Sequence, residues 1–522
     1  MRKLSPQLVS RMRELDIDVE LSLKILDRVN KQPNALTETE FSLPTGKEDY
    51  IVDTREDVRL SLSSSYFFSR LKELGLTVPA VADFYTGGNT VELDEKKLKI
   101  IGILLYPKLA YGILNGGAAT SYADSKKNSG FDKALFSAYE SYFKKASELV
   151  KGRPKGVCPA YYGKSGEPGL SFMALKMRSL LIETLRYRSL AKRLGVEQQR
   201  ECLPLFQMTS PVTHESVLAH IKELETHPAI EPLMQKLGLL SLSVYTAKQP
   251  LIAAFTHTAD GSPLDIFTSA YGRECEPLAL PGGHGQNFMV LADIYRQLYR
   301  NGYRFVYLTN VDNLGSAVDP VSLALLALSS KQAGFEFSYK TSVDVKGGVL
   351  VATPSGPLCM DIGAGISRSC VENEEKRGVP VLFNCATGLF DLSFLTANLD
   401  RIIGNLPLRL TDQDKDAGRY SQAEQITWEV MGLLDDILIF AVDKYRRFLA
   451  AKLLIETFLT SGLLLDDASS LYGVNPDVVK TADNLNRGLM AAFSDYYAIK
   501  PEDFSLLSAD DIEKRLEETF DA

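Results

Sequence analysis

Between Ile100 and about residue 400, short continuous apolar runs alternate with longer segments of helical periodicity, and this alternation is the feature that most constrains the fold. An apolar run of four to eight residues has no polar face to leave in water, so it is covered on both sides, as in a parallel sheet joined by crossover helices. The spacing predicts strands at residues 110–114, 203–208, 305–309 and 348–352. It predicts one long amphipathic helix over 170–194 and another over 287–300, where Leu291, Ile294, Tyr295 and Leu298 share a face. The expected class is α/β with a mixed, mostly parallel sheet.

The flanks read differently. Residues 1–100 carry helix-like patterns, such as Leu21, Ile25 and Val29 spaced four apart, broken by a turn-prone stretch around 41–50. After about residue 400 the strand signals fade, 428–458 reads as apolar helix, and 511–520 reads as a short charged terminal helix. With 522 residues, two to four domains are expected, and the divisions drawn are 1–100, 101–400 and 401–522. No internal repeat or low-complexity segment interrupts them.

Charge and cysteine usage narrow the partners. Lys plus Arg total 58 against 66 for Asp plus Glu, a net charge of -8, with no long single-sign run, which argues against a general nucleic-acid or anionic-membrane surface. No stretch of ~18 consecutive apolar residues occurs, and the start of the chain leads into a charged amphipathic segment, so a cytoplasmic protein is expected. The six cysteines lie far apart without a CxxC pair, and none of the five histidines forms HxxxH or HExxH, so reduced thiols are expected and a zinc hydrolase is not.

Six segments carry candidate chemistry. Leu114-Asn115-Gly116-Gly117-Ala118-Ala119-Thr120-Ser121 follows an apolar run, and paired glycines there allow close backbone approach to a flat base or a phosphate, or form a plain turn. Pro154-Lys155-Gly156 offers a lysine that neutralises a triphosphate or is simply an exposed loop residue. Gln207-Met208-Thr209-Ser210 with Thr213-His214 ends a strand in polar groups, where open α/β sheets bind ligands, or makes a Ser-Pro turn. Pro281-Gly282-Gly283-His284-Gly285 precedes a helix whose N-terminus favours phosphate, with His284 either a ligand contact or structural. Asn310-Val311-Asp312-Asn313-Leu314-Gly315 places a carboxylate past a strand, as magnesium requires, unless Asp312 or Asn313 caps an Asx-turn. Lys340 to Gly348, with Lys346-Gly347-Gly348, suits a sugar phosphate or a solvated hairpin equally.

In this order the segments resemble the UDP-sugar pyrophosphorylase superfamily, which includes UTP:glucose-1-phosphate uridylyltransferases and UDP-N-acetylhexosamine pyrophosphorylases. The resemblance runs from about residue 100 to 400, more faintly to 460. Asn310 to Gly315 followed by Val318-Asp319, and Asp344-Val345-Lys346-Gly347-Gly348, are its most specific pieces. It implies a Rossmann-like nucleotidyltransferase core, flanked here by helical N- and C-terminal regions. It also implies that Leu114, Asn115, Gly116, Gly117 and Met208 border the uracil, and that Gly282, Gly283 and His284 approach the nucleoside and sugar phosphate. Lys155 is implied to face the UTP phosphates, Asp312 to bind Mg²⁺, Lys346 and Gly348 to lie near the sugar, and Asn384 of Phe383-Asn384-Cys385-Ala386 by sugar phosphate or metal. Lys452 matches a further family lysine in a Pro-Val-Lys-Thr-like run.

This sequence departs from the family pattern at several points. Ala119 replaces a glycine, Cys385-Ala386-Thr387 replaces an Asn-rich stretch, and a glutamate-tyrosine pair is replaced around Asp361-Ile362-Gly363. Lys155 lies 35 residues after Thr120, which implies an inserted helical segment over 132–150, or that Lys126 or Lys127 fills its role. The C-terminal region lacks the short repeating strands of a β-helix, so an octamer is not expected, and a monomer is compatible. The expected reaction is Mg²⁺-dependent formation of UDP-sugar and pyrophosphate from UTP and a sugar 1-phosphate. The rivals are a nucleotide-binding homologue that has lost catalysis and a helical scaffold around a vestigial core.

Overall fold

The four strand expectations each meet a strand of one central sheet: Leu109–Leu114, Leu205–Thr209, Phe305–Asn310 and Gly348–Thr353. The computed structural model describes every residue except 1–3, 32–39, 77–78, 120–121, 198–201, 342–343, 345, 466–470, 472 and 522. Ten described strands form this sheet, in the order Ile51–Asp53, Ile437–Val442, Ala333–Tyr339, Leu382–Asp391, Phe305–Asn310, Leu109–Leu114, Leu205–Thr209, Val244–Lys248. The hairpin of Gly348–Thr353 and Gly356–Asp361 leans on Leu382–Asp391. That strand runs antiparallel to both neighbours, and the remaining pairs along the path are parallel, so the sheet is mixed and mostly parallel as the sequence implies.

The central strands are apolar on both faces because both faces are covered. Along Phe305–Asn310, Phe305 and Tyr307 enter one core while Val306 and Leu308 enter another, the period-two alternation of a pleated strand. Gly112 has no side chain because the Phe206 ring occupies the place of its Cβ. The helix Phe172–Arg193, capped by the Ser171 hydroxyl on the Ala174 amide, is buried over most of its circumference. Its Arg178 guanidinium donates to the carbonyls of Tyr497 at 2.6 Å, Ala229 at 2.7 Å and Leu507 at 3.1 Å, tying the last part of the chain to the core.

Two expectations for the C-terminal flank are overturned. The segment 428–458 is not one helix: it holds a 3₁₀ stretch Thr427–Leu433, the strand Ile437–Val442, and short helices Lys444–Arg447 and Leu454–Thr460. Ile437–Val442 is a six-residue run buried throughout, and such a run has the same periodic signature whether it is strand or buried helix. Strands also continue past residue 400 as the hairpin Arg409–Lys415 with Gly418–Glu424, whose polar sequences carry no apolar run to betray them. At the other end, Ile51–Asp53 joins the central sheet and Leu60–Ser63 pairs with Thr90–Leu93 among the helices. The 287–300 helix is broken at Leu291 into Asn287–Val290 and Ala292–Arg300. No helix among the described residues is long and apolar enough to cross a membrane.

Candidate functional site

The site begins where three parallel strands end side by side, with Leu114 between Met208 and Asn310 in register. The Asn115 amide donates to the Met208 carbonyl at 2.9 Å, continuing that ladder by one residue. The Asn115 side chain is fully buried and donates to Gln207 Oε1 at 3.1 Å, which fixes the turn that presents Gly116 and Gly117. A Cβ on Gly156 would lie 2.5 Å from Asn115 Oδ1, so the Pro-Lys-Gly turn fits against Asn115 only with glycine there.

The chain reaches that contact by a detour. After Ala119 it forms the helices Ser125–Ser129 and Lys133–Val150, the second capped by Asp132, then returns so that the Lys155 amide donates to the Gly117 carbonyl at 3.0 Å. The Ala119 amide donates to the Arg153 carbonyl at 3.1 Å alongside. The inserted-helix expectation therefore describes this segment, and Lys155 is the lysine seated on the glycine turn. Thr120 and Ser121 lie outside the described residues. The Lys155 ammonium donates to the Ala451 carbonyl at 2.5 Å and sits 3.3 Å from the centre of the Tyr122 ring. Burial lowers its pKa to about 8, opposed by the charge of Asp312.

Asp312 stands on the turn after Phe305–Asn310, and its neighbour Asn313 does the capping. Asn313 is fully buried; its Oδ1 accepts from the amides of Gly315 at 3.1 Å and Leu449 at 3.0 Å, and its Nδ2 donates to the Arg447 carbonyl at 3.0 Å. A Cβ on Gly315 would come 2.5 Å from Arg447, so the 447–452 segment is laid directly on this turn. The buried Lys176 ammonium donates to the Asn313 carbonyl at 2.5 Å and Ser316 Oγ at 2.7 Å. Burial, reinforced by Arg447, lowers the Lys176 pKa to about 7, while Asp312 opposes the shift. With Asn313 as the cap, the Asp312 carboxylate is half-buried and makes no hydrogen bond or ion pair among the described residues.

A second glycine turn closes over the first through Gln249. Its Nε2 donates to the Gly283 carbonyl at 2.8 Å and to Gln286 Oε1 at 3.0 Å, while its Oε1 lies 3.6 Å from where a Cβ on Gly116 would be. Gly283 has φ +81°, and the Gln425 backbone fills the space of its missing side chain; Gly282 is closed in by Gln286. The Thr427 amide donates to His284 Nδ1 at 3.2 Å, so that nitrogen is unprotonated and the ring is neutral with its proton on Nε2. Burial lowers the His284 pKa to about 4; Asp361 opposes the shift and Lys452 adds to it. Lys452 itself is exposed.

Asn384 and Gly348 meet at the third corner. Cys359 Sγ occupies the place of a Gly348 Cβ, with the Asn384 side chain next to it, and Asn384 Oδ1 accepts from the Ala386 amide at 2.9 Å. Cys385, following Asn384, accepts on its carbonyl from Asn313 Nδ2 at 3.4 Å, which joins this corner to the Asp312 turn. Lys346 is exposed at the rim and makes no hydrogen bond or ion pair among the described residues; Ser342, Val343 and Val345 of its run lie outside them. Asp344 is buried in an ion pair with Lys444, which anchors the Lys346 loop to the segment leading to Lys452. Asp361 pairs with Arg409 at 2.5 Å, and Arg409 also pairs with Glu429.

Gln249, Lys176 and Arg409 contact the candidate site and were missed by the sequence reading, whereas Asn313 is the Asx-turn cap that the sequence offered. Gln249 follows the strand Val244–Lys248 directly, and a polar residue at a parallel strand's carboxyl end is a usable signal. Lys176 shows as a lysine inside an otherwise apolar helical run, whereas nothing local marks Arg409.

Three comparisons bear on this arrangement. The family model for UTP–glucose-1-phosphate uridylyltransferase matches residues 262–490. A UTP–glucose-1-phosphate uridylyltransferase 2 of Dictyostelium discoideum is 25% identical over 160 residues, 30% of this chain and 30% of that protein. A UTP–glucose-1-phosphate uridylyltransferase of Encephalitozoon cuniculi is 37% identical over 73 residues, 14% of this chain and 15% of that protein. The matched stretches thus span less than a third of these curated relatives. The crystal structure of a protein assigned as a UDP-N-acetylglucosamine pyrophosphorylase from Entamoeba histolytica matches with TM-score 0.50 at 18% identity, over 68% of this chain and 79% of that one. The chain therefore resembles the UDP-sugar pyrophosphorylase superfamily both in sequence, over residues 262–490, and in fold.

Proposed function

We propose that this protein is a nucleotidyltransferase that forms a UDP-sugar and pyrophosphate from UTP and a sugar 1-phosphate. The observation that carries this reading is the seating of Lys155 on the Gly117 turn, with its ammonium bonded to Ala451 and within the electrostatic reach of Asp312. The turn of Leu114, Asn115, Gly116 and Gly117 beside Met208 offers backbone and glycine surface to a flat base, and Gln249 ties it to the Gly282–Gly283 turn. The Lys155 ammonium spends one of its three N–H bonds on Ala451 and packs on the Tyr122 ring, and its remaining donor capacity is offered to phosphate oxygens.

The Asp312 carboxylate fits a hard divalent cation. It is half-buried and receives no protein hydrogen bond among the described residues, while no group of three His, Cys, Asp or Glu there could hold a metal by itself. This matches Mg²⁺, which keeps waters and binds through one or two carboxylates plus substrate phosphates. When bound it would neutralise charge on the phosphates and on the leaving pyrophosphate.

The reaction needs no covalent help from the protein. A phosphate oxygen of the sugar 1-phosphate forms a bond to the α-phosphorus of UTP as the bond to the β-phosphate oxygen breaks, and pyrophosphate departs with that electron pair. The chain's residues position and neutralise. Lys155 holds phosphate oxygens, while Lys176 and Asn313 fix the turn that aims Asp312. Neutral His284 offers its Nε2–H to the nucleoside and sugar phosphate, and Lys346, Gly348 and Asn384 border the sugar. Lys452 carries a second positive charge to the phosphates. Pyrophosphate release from UTP by the Lys155→Met protein at the wild-type rate would dismiss this reading.

A further inference from the structure

A cavity of about 630 Å³ shares no residue with the turns that carry Lys155, Asp312 and His284. It lies among the Phe172–Arg193 helix, the terminal Ala509–Asp521 helix, the start of Lys444–Arg447 and the residues after Ile51–Asp53. Its volume falls in the range of about 300–1,000 Å³ typical of small-molecule sites.

Its charges are unevenly committed. Of the five carboxylates in the wall, four are already engaged. Glu183 accepts from Arg186 Nε at 3.0 Å and from the Tyr106 hydroxyl at 2.8 Å, and Asp495 pairs with Arg446 at 2.5 Å. Asp319 caps the helix Pro320–Ser329, and Asp443 caps Lys444–Arg447. Glu95 alone makes no hydrogen bond or ion pair among the described residues.

The cations retain donors. Arg186, with a side chain only 14% exposed, uses Nε on Glu183, and its two terminal nitrogens have no partner among the described residues. Lys99, on the helix Glu95–Leu104, and Arg515, on Ala509–Asp521, make no ion pair among the described residues either. The Ser494 hydroxyl adds a neutral donor, whereas the Thr54 and Thr519 hydroxyls already donate to the carbonyls of Ala441 at 3.2 Å and Leu516 at 2.7 Å. A desolvated guanidinium with open nitrogens, two unpaired cations and the Ser494 hydroxyl favour a multi-oxygen anion, and the room beyond it favours one carried on a small molecule.

We propose that this cavity binds phosphate, free or as the group of a small phosphorylated metabolite, and that its occupancy is transmitted to the strand-end site. The link is Arg447. Its side chain lines the cavity and donates to the Ala317 carbonyl at 2.9 Å and to buried Glu336, and its own carbonyl accepts from Asn313, the residue after Asp312. Four residues on, Ala451 holds the Lys155 ammonium. The transmission rests on the proposed function, whereas the binding does not.

The test uses the full-length protein and calorimetric titration with inorganic phosphate and, separately, glucose 6-phosphate. The variants are Lys99→Gln combined with Arg515→Gln, both at exposed positions, then Arg186→Gln, then Lys155→Met. Binding by wild type and by Lys155→Met, weakened about tenfold or more in the double variant and in Arg186→Gln, is the expected result. Tighter glucose 6-phosphate binding would identify a metabolite as the ligand, and equal affinities would identify free phosphate. No binding, unchanged affinity in the double variant, or binding lost in Lys155→Met would overturn the site. For transmission, the ligand should change kcat at least twofold in wild type and not in the double variant. An unchanged kcat at saturation, with binding intact, would overturn transmission and leave the site standing.

Discussion

The Lys155 ammonium donates to the carbonyl of Ala451 at 2.5 Å, so two lysines 297 positions apart, Lys155 and Lys452, belong to one corner of the site. The detour through residues 122–153 and the return of the chain after Ile437–Val442 both end at this bond. It puts Lys155 where the glycine turn and the segment leading to Lys452 meet.

Replacing Lys155 with Met should lower kcat about 10²- to 10³-fold, the cost of removing one preorganised charge at a reacting phosphate. Because the lysine pKa is lowered to about 8, its ammonium is lost as pH rises through that value, and kcat/KM of the free enzyme should fall above pH 8. Lys155→Arg should move that limb upward. A profile flat to pH 9.5 in wild type would remove Lys155 from the phosphate contact.

His284 gives a stability prediction of fixed sign. Its folded pKa is lowered from 6.5 to about 4, so between these values the unfolded chain binds the proton and the folded chain does not. The stabilisation is therefore complete above pH 6.5 and is lost as pH falls toward 4, at up to about 1.4 kcal/mol per pH unit. Denaturant unfolding of wild type and His284→Gln across pH 4–7 should show the variant less steep. Parallel curves would contradict the buried neutral imidazole.

Gln249→Ala should raise the KM for UTP about tenfold, because the two glycine turns lose the amide that joins them at Gly283 and Gln286. The Gly283→Ala protein should fare worse. It places a Cβ at φ +81° against the Gln425 backbone, and a melting temperature several degrees below wild type is expected. An unchanged melting temperature would mean the turn relaxes freely.

Several of the candidate residues meet in space because they sit at the ends of apolar strands, where sequence order and spatial order agree. Leu114, Met208 and Asn310 are in register across three strands whose runs are visible in the sequence. What hid was non-local. Ile437–Val442 reads as part of a helix because a short, fully apolar run has the same periodic signature as a buried helix segment, yet it pairs with Ile51–Asp53 and Ala333–Tyr339. Polar strands such as Arg409–Lys415 have no apolar run, and so Arg409, which holds Asp361, could not be found by periodicity. Lys176 reaches the turn beside Asp312 from a distant helix through the Asn313 carbonyl and the Ser316 hydroxyl, contacts that motif spacing does not encode.

The most direct measurement is pyrophosphate release by the purified protein with UTP and Mg²⁺ against glucose, galactose and N-acetylglucosamine 1-phosphates, run beside Asp312→Ala. We expect release with at least one sugar phosphate, and its loss by about a hundredfold or more in Asp312→Ala with an unchanged melting temperature. UTP binding without release across the panel, or wild-type turnover by Asp312→Ala, would contradict it.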